Sequence, residues 1–313
     1  ERERGRARCY TFSGLDLSGK YSSKILTPVE VRKTKPHPTA NAKPLNRREC
    51  IRKFPTKFLQ EECRIQKING FLSEHKLESR SGVLWGGVTR TFNNGRMDHG
   101  GRLYGNWQTL KEKDRLDLLI DGEEVVEIDV TACFLFIASA KQGQNIAAID
   151  PYSLIPWVED KNTRALAKRL INTILFKATR LTRFSKGLRE EFQVPRSHSI
   201  SDYTTGIFST FPFLETDDAI GFSAMFEESE TILSAIETLR QRDVAAFPVH
   251  DCIIVNKHHT ELAAAVLIAS FKSRYNGSAP GLTIESKDGA ISFREIDINQ
   301  EMVDELVYEI SGT

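Results

Sequence analysis

Apolar and polar positions repeat with two different periods along this chain. Where apolar residues return every three or four positions, one face of a helix is buried, and the pattern predicts a helix. The predicted helices span residues 46–76, 109–122, 131–141, 161–179, 222–242 and 259–274. We interpret the 222–242 helix as scaffold, because its apolar residues form one continuous stripe.

Two runs of β-branched residues, at 124–129 and 246–255, predict buried strands. The second run is interrupted by His250 and Asp251, which predicts a hairpin with its turn at these residues. The glycine-rich stretch between residues 81 and 108 is compatible with a loop that contains a β-hairpin, and residues 199–221 show no regular period.

The end of the chain predicts one more hairpin. Residues 282–286 and 291–296 alternate as strands on either side of Asp288 and Gly289, and Asp-Gly is a strong hairpin turn. Helices packed on one face of a mostly antiparallel sheet then predict the α+β class.

The chain has 313 residues, of which 40% are apolar and 27% charged, enough for one large domain with an appendage or for two domains. No run approaches the ~20 apolar residues of a membrane span. The five cysteines are scattered and include no CxxC pair, which argues against a zinc module or a disulfide framework. We therefore expect an intracellular, cytoplasmic protein with no membrane partner. The chain begins at Glu1 rather than at a methionine, so a longer parent chain stays open.

Charge is distributed unevenly although the net charge is only +1. Residues 1–80 contain 19 Lys and Arg against 9 Asp and Glu, which is +10, and the remainder contains 24 against 33, which is −9. A basic segment on an acidic body suits a polyanionic partner such as nucleic acid. It suits a solvated basic tail equally well, and residues 1–45 have the composition of an irregular arm.

Each of the two buried strand regions places a carboxylate at its end, Asp129 in one and Asp251 in the other. A carboxylate there is costly unless a cation or a metal pairs with it. Two such strands side by side would form one divalent-metal site, as two-metal phosphoryl transfer requires. Arg164 and Lys168 lie one helical turn apart and suit the phosphates of a nucleotide. Each of these elements is also compatible with a purely structural role.

The 81–108 segment combines three side-chain types that favour nucleic acid. Its glycines let a backbone approach a ligand closely, and its aromatic residues offer stacking faces to bases. Arg90, Arg96 and Arg102 recur at six-residue intervals and supply forked donors to phosphate. An ordinary loop with a β-hairpin is the alternative.

Short motifs in a fixed order resemble those of family A DNA polymerases and of single-subunit phage-type RNA polymerases. Residues 127–131, EIDVT, resemble the first palm motif of this superfamily, and residues 249–251, VHD, resemble the core of the third. The set of motifs spans residues 85–257, a little over half of the chain. Their shared order is more specific than any one of them.

Two further motifs complete the resemblance. Residues 101–108, GRLYGNWQ, are similar to the family A segment GRL…N-x-Q, and residues 97–104, MDHGGRLY, are similar to the D-x-x-G-R-x-Y run of the phage-type RNA polymerases. Residues 164–168, RALAK, resemble the R-x-x-x-K that opens the fingers helix, with Asn172 near the asparagine of the family.

The resemblance implies a right-hand palm in which Asp129 and Asp251 bind two Mg²⁺ ions, with Mn²⁺ as a substitute. Lys168 and Arg164 would contact the incoming triphosphate, and Lys168 could protonate pyrophosphate. Nucleic-acid contacts are assigned to Arg90, Arg96, Arg102, Tyr104, Gln108 and His250. A hydrogen-bonded histidine in a hairpin is the alternative for His250.

The chain departs from the family at several positions. The fingers helix of the family has Tyr-Gly after its lysine, whereas this chain has Leu175, Phe176 and Lys177 there, which leaves Phe176 as the candidate stacking residue. Cys252 follows Asp251 where many family A enzymes have glutamate. The chain is too short for an exonuclease domain, so it resembles a minimal enzyme of a phage or mobile element.

Phe134 bears on the choice of nucleotide. It lies five positions after Asp129, where family A enzymes hold a glutamate, and reverse transcriptases and family B polymerases hold an aromatic residue at that spacing. A ring there would clash with a ribose 2′-hydroxyl, which favours deoxynucleotides. Phe134 is equally suited to be a core aromatic, and the phage-type resemblance of residues 97–104 favours RNA synthesis.

The sequence therefore predicts a magnesium-dependent, template-directed nucleic-acid polymerase, a nucleotidyltransferase whose partners are a template–primer and nucleoside triphosphates, with DNA synthesis favoured. The alternatives are an RNA polymerase or primase on the same palm, a two-metal nuclease, and a non-catalytic nucleic-acid-binding protein. The expected domains are a basic irregular arm (1–45), a helical thumb-like segment (46–84), the first part of the palm (85–149), the fingers (150–221) and the second part of the palm (222–313).

Overall fold

The computed structural model describes residues 27–34, 42–84, 86–144, 146, 150–177, 181–215, 220–293 and 298–312. The strands are β1 (Val29–Val31), β2 (Leu77–Ser79), β3 (Gly82–Leu84), β4 (Thr89–Phe92), β5 (Gly100–Tyr104), β6 (Leu119–Ile120), β7 (Glu123–Val130), β8 (Ala246–Val249), β9 (Cys252–Asn256), β10 (Leu282–Ser286) and β11 (Gly289–Phe293). The helices are α1 (Arg47–Lys53), α2 (Pro55–Leu72), α3 (Glu112–Arg115), α4 (Cys133–Ala140), α5 (Lys161–Phe176), α6 (Lys186–Glu191), α7 (Ile200–Thr210), α8 (Gly221–Arg240), α9 (Thr260–Arg274) and α10 (Gln300–Ser311).

Strand β7 is the centre of the larger sheet. It pairs antiparallel with β9, with β10 and, at its first residues, with β6. The sheet continues through β10 to β11 on one side and through β6 to β2 and β3 on the other, while β8 forms a hairpin with β9. A smaller sheet has the order β1-β4-β5, and β1 with β4 is a parallel pair. This mixture of helices and mainly antiparallel sheet agrees with the predicted combination of elements.

The main hydrophobic core lies against the larger sheet and includes helices α2, α8 and α9. Helix α9 contacts both β7 and β9, and α10 packs on α9. The strand residues of this core include the β-branched Ile128, Ile253 and Val255, which are fully covered. Phe58 and Leu72 of α2 belong to the same core, and α2 contacts β1 and α8. The thumb-like role of residues 46–84 stays a prediction.

A second hydrophobic core is formed mainly by apolar side chains from residues 150–214. Leu166, Leu170 and Ile207 of helices α5 and α7 lie at its centre. Helix α4 joins the two cores, because Leu135 belongs to the second core whereas Phe136 belongs to the main one. The helix that follows Asp129 is thereby held from both sides.

Several predicted elements need correction. The single helix predicted over 46–76 is two helices, because Pro55 begins α2 and has no N–H to continue the ladder of α1. Of the helix predicted over 109–122, only the short α3 forms, since Leu119 and Ile120 pair with β2 and β7 as β6. Part of the arm predicted to be irregular is strand β1.

Two further corrections concern the second half of the chain. Residues 199–221, predicted to be irregular, include α7, which begins with a capping box between Ser199 and Asp202. The last hairpin turns at Lys287 and Asp288, because Ser286 pairs with Gly289, one residue earlier than predicted. Part of the strand predicted over 291–296 lies outside the described residues. No helix in the described part of the chain is long and apolar enough to cross a membrane.

Candidate catalytic site at the end of strand β7

Strand register brings Asp129 and Asp251 to one place. Asp129 is opposite Cys252 of β9 and opposite Thr283 of β10, so it lies between two strands. Asp251 directly precedes Cys252, and its carbonyl oxygen accepts a hydrogen bond of 3.2 Å from the N–H of Val130. The two carboxylates are therefore neighbours at the end of the central strand.

Two left-handed residues shape the backbone around these aspartates. His250 has φ 59° and is the first residue of the two-residue turn between β8 and β9. Ala132 has φ 52° and lies between the end of β7 and the start of α4. Such conformations cost on the order of 1 kcal/mol or more for residues with a Cβ and persist only where the surroundings enforce them. They let each strand end abruptly beside its aspartate.

Asp129 is a buried carboxylate close to the negative charge of Asp251. Burial raises the pKa of Asp129 to about 7, with a further contribution from the charge of Asp251. Lys168 opposes this rise, which places its ammonium group near enough to act on Asp129. Two adjacent carboxylates of this kind favour a bound cation, because the cation relieves both burial and mutual repulsion.

A second set of candidate metal ligands includes Asp251 itself. Ligand atoms of Cys133, Glu228 and Asp251 all lie within 4.8 Å of one another. Burial raises the pKa of the Cys133 thiol well above its ordinary value, so the sulfur keeps its proton and is a poor ligand for a hard cation. Magnesium prefers oxygen ligands, so the carboxylates of Asp129 and Asp251 fit Mg²⁺ and the thiol does not.

Glu228 is fully buried on α8 and pairs with Arg102. The Nε and Nη2 atoms of Arg102 donate hydrogen bonds of 2.6 and 2.7 Å to its carboxylate. Burial raises the pKa of Glu228 to about 7, and the charge of Arg102 opposes that rise. The interpretation of α8 as scaffold alone is therefore corrected, because this helix delivers a carboxylate to the site.

Aromatic rings connect α4, α5 and α8 beside the aspartates. Phe134 meets the edge of Phe176 at 5.6 Å between ring centroids, and Phe176 meets Phe222 at 5.4 Å. The guanidinium of Arg102 also lies over the Phe134 ring, with 5.1 Å between the guanidinium carbon and the ring centroid. Phe134 and Phe176, predicted to contact the nucleotide, are thus partly buried neighbours.

Helix α5 presents the remaining predicted nucleotide contacts. Lys168 is exposed, and Asn172 is partly buried one turn further along. Arg164 donates two hydrogen bonds, of 2.6 and 3.0 Å, to Asp150, and its guanidinium lies over the ring of Tyr152. In this conformation Arg164 is engaged within the protein, whereas Lys168 has no ion-pair partner among the described residues.

The predicted nucleic-acid contact at Arg90 requires correction. Its side chain is 0% exposed and pairs with Glu61 and Glu230, and its Nε donates a hydrogen bond of 3.0 Å to the carbonyl oxygen of Gly101. A buried guanidinium with these partners does not reach a phosphate, so Arg90 joins β4 to α2 and α8. Arg96, in contrast, is exposed and paired with Asp98.

The other predicted contacts divide into exposed and structural side chains. Tyr104 is 38% exposed and meets the edge of His250 at 5.7 Å. His250 has a buried Nδ1 without a hydrogen-bond partner in the described structure, and burial, with the charge of Arg102, lowers its pKa. Gln108 donates to the carbonyl oxygens of Leu103 and Pro248, so it supports the hairpin that presents Asp251.

Sequence reasoning missed the acidic residues that surround Asp129. Glu127, two positions earlier on the same strand face, is paired with Arg115 by hydrogen bonds of 2.5 and 3.1 Å. Glu285 is opposite Glu127 on β10, and its burial, together with nearby Glu112, raises its pKa. The alternation of Glu127 and Asp129 in a β-branched run was an available signal. The pairing of β10 with β7, which brings Glu285 opposite Glu127, had no signal in the sequence.

Comparisons with known proteins find distant similarity among solved structures. No protein-family model matches the sequence, and no curated protein matches it. Among solved structures, the chain is similar to the POL domain of Pol1 from M. smegmatis, a structure in complex with DNA primer-template and dNTP. The TM-score is 0.40 and the identity 11%, and the match covers 80% of this chain and 57% of that one.

Proposed function

We propose that this protein is a template-directed nucleic-acid polymerase that uses a two-metal mechanism and favours deoxynucleotides. The observation that carries the proposal is the adjacency of Asp129 and Asp251 at the end of the central strand. Support comes from Lys168, whose charge acts on Asp129 from a neighbouring helix. The ordered motifs of the sequence add to this support, because they include all three residues.

The two aspartates would hold divalent cations, Mg²⁺ by preference. The chemistry that such cations supply is a lower pKa for the attacking 3′-hydroxyl and neutralisation of charge on the phosphates. Asp129 and Asp251 would hold these cations through their carboxylate oxygen atoms. Lys168 would contact the triphosphate and donate a proton to the leaving pyrophosphate, for which its exposed position on α5 is suitable.

Nucleic acid would approach the site from the β4–β5 hairpin and the β8–β9 turn. Arg102, Tyr104 and His250 meet there, and of these Tyr104 has the most exposed ring. Arg96 lies nearby on the chain with an exposed guanidinium that could exchange Asp98 for a phosphate. Arg164 would have to exchange Asp150 for a nucleotide phosphate in the same way.

Phe134 supports deoxynucleotide selection. Its ring is partly buried between Arg102 and Phe176, so it has little freedom to move away from a sugar placed against it. Replacement by alanine should admit ribonucleotides if this ring excludes the 2′-hydroxyl. A Phe134→Ala variant with unchanged sugar preference would remove the argument for DNA over RNA synthesis.

Primer extension tests the proposal. A labelled primer–template is incubated with Mg²⁺ and either dNTPs or rNTPs, using wild type, Asp129→Asn and Asp251→Asn. Asp304→Asn, at an exposed position of α10, controls for the loss of one carboxylate. Extension by wild type and Asp304→Asn alone supports the proposal, and the active nucleotide set identifies the product.

The other outcomes discriminate between the alternatives. Degradation of the primer without nucleotides indicates a two-metal nuclease. Synthesis on a template that carries no primer, without extension of the labelled primer, indicates a primase. Binding of the template–primer with neither synthesis nor degradation indicates a non-catalytic nucleic-acid-binding protein.

A further inference from the structure

Stability alone does not account for the buried ion pair between Arg102 and Glu228. Glu228 is 0% exposed and Arg102 is 14% exposed, so both charges are removed from water. Removal of two charges from water is costly before their attraction is counted, and apolar residues of similar size often stabilise as well or better. Such a pair is therefore a candidate for holding a neighbouring group in a defined position.

Glu228 fixes the plane of the Arg102 guanidinium. Two parallel hydrogen bonds, from Nε and Nη2, form a forked contact that a single bond would not reproduce. Nη1 has no hydrogen-bond acceptor within the described part of the chain. The pair thus leaves one end of Arg102 for a ligand while it holds the other end still.

That fixed plane lies over Phe134. The distance of 5.1 Å from the guanidinium carbon to the ring centroid is that of a cation–π contact, which strengthens as the cation is desolvated. On another side the ring meets Phe176, which is in turn enclosed by Phe222 and the bare Cα of Gly221. The position of the Phe134 ring therefore depends on Arg102, and the position of Arg102 depends on Glu228.

We propose that Glu228 is a positioning residue for sugar selection, which acts through Arg102 on the Phe134 ring. The inference rests on the proposed polymerase function and goes beyond it, because it assigns specificity to a residue of the scaffold helix α8. A ring that excludes one hydroxyl group must be placed within a fraction of an ångström, since rejection of that group depends on steric contact. The forked pair supplies this placement.

The test measures the ratio of kcat/KM for a dNTP to that for the matching rNTP. Glu228→Gln keeps the shape of the side chain but loses the charge that holds Arg102. We expect its dNTP preference to fall roughly tenfold, within the range of couplings between residues in contact. The double variant Glu228→Gln/Phe134→Ala should have the same ratio as Phe134→Ala, because Glu228 acts only through the ring.

Glu230→Gln is the matched control. Glu230 lies two positions further along α8 and also pairs with a buried arginine, Arg90, but this pair has no contact with Phe134. General loosening of α8 would change the ratio in both variants, whereas the proposed role changes it only in Glu228→Gln. Arg102→Lys is the second variant if Glu228→Gln does not fold, because lysine cannot lie flat over the ring. It should lower the preference in the same direction.

The results separate the two proposals. An active wild type with strong dNTP preference, together with an unchanged ratio in folded Glu228→Gln or in Arg102→Lys, overturns the inference and leaves the polymerase standing. A double variant with a lower ratio than Phe134→Ala also overturns it, as does a wild type that does not discriminate between sugars. A wild type that extends with neither nucleotide set overturns both.

Discussion

Gln108 donates a hydrogen bond of 2.7 Å to the carbonyl oxygen of Pro248, across 140 positions of the chain. Trp107 donates to the same oxygen at 2.9 Å. Pro248 precedes the turn that presents Asp251 by only two residues. One segment, the 3₁₀ turn that follows β5, therefore supports the hairpin that contains one of the two candidate catalytic carboxylates.

Replacement of Gln108 by leucine tests this support. The change removes two hydrogen bonds from a partly buried amide, and we expect a loss of about 1–2 kcal/mol in the free energy of unfolding. Trp107 still satisfies the Pro248 carbonyl, so the loss should remain moderate. Urea denaturation measures it. Equal stability of Gln108→Leu and wild type would show that the hydrogen bonds contribute nothing net.

The raised pKa of Asp129 predicts that metal-free stability falls as the pH rises. The folded protein holds this proton up to about pH 7, whereas the unfolded chain releases it near 3.8. Between these values the folded state binds more protons, so stability is lost as the pH increases from about 4 to about 7. The loss is on the order of a few kcal/mol. Asp129→Asn should remove this part of the pH dependence and be more stable than wild type at pH 8 in EDTA, as judged by thermal unfolding.

Added Mg²⁺ should reverse that loss. A ligand that binds only the folded state stabilises it in proportion to the logarithm of its concentration above Kd. Cation and proton compete for Asp129, so the rise in Tm should be larger at pH 8 than at pH 5.5. Asp129→Asn and Asp251→Asn should lose the rise, whereas Asp304→Asn should keep it. An equal rise in all four proteins would indicate that Mg²⁺ binds elsewhere.

Gly221 is where α8 accommodates Phe176. A Cβ at Gly221 would lie 2.7 Å from the Phe176 ring and 2.9 Å from the carbonyl oxygen of Leu175. Gly221→Ala should therefore cost about 1–3 kcal/mol and displace the ring, which raises the nucleotide KM. Gly70→Ala on α2 is the control, since nothing lies within 4 Å of the added carbon. It should stabilise by roughly 0.5–1 kcal/mol.

Lys168 and Arg164 should respond differently to substitution. Lys168→Ala removes the positive charge of α5 that acts on Asp129. Loss of a general acid typically lowers kcat by about 10²- to 10⁴-fold. Arg164→Ala should lower stability as well as activity, because Asp150 loses its partner. Single-turnover extension and thermal unfolding measure the two effects. Full activity of Lys168→Ala would exclude it as the proton donor.

Local sequence patterns were enough to identify the elements whose side chains show a long, consistent period. Strand β7, helix α5, helix α9 and the β8–β9 hairpin all lie within a few residues of their predicted positions. Asp129 and Asp251 could be identified because each interrupts an apolar run, which is a local property. The turn at His250 and Asp251 could be identified for the same reason.

Which charges are buried, and which partners they have, depends on how the helices and strands pack together. Arg90 and Arg102 look alike in sequence, yet Arg90 is enclosed by Glu61 and Glu230 whereas Arg102 pairs with Glu228 close to Asp251. Glu228 gave no local signal, because a glutamate in an amphipathic helix is usually solvated. Arg102 and Glu228 lie 126 positions apart in the chain, and burial and pairing follow from how the helices pack on the sheet.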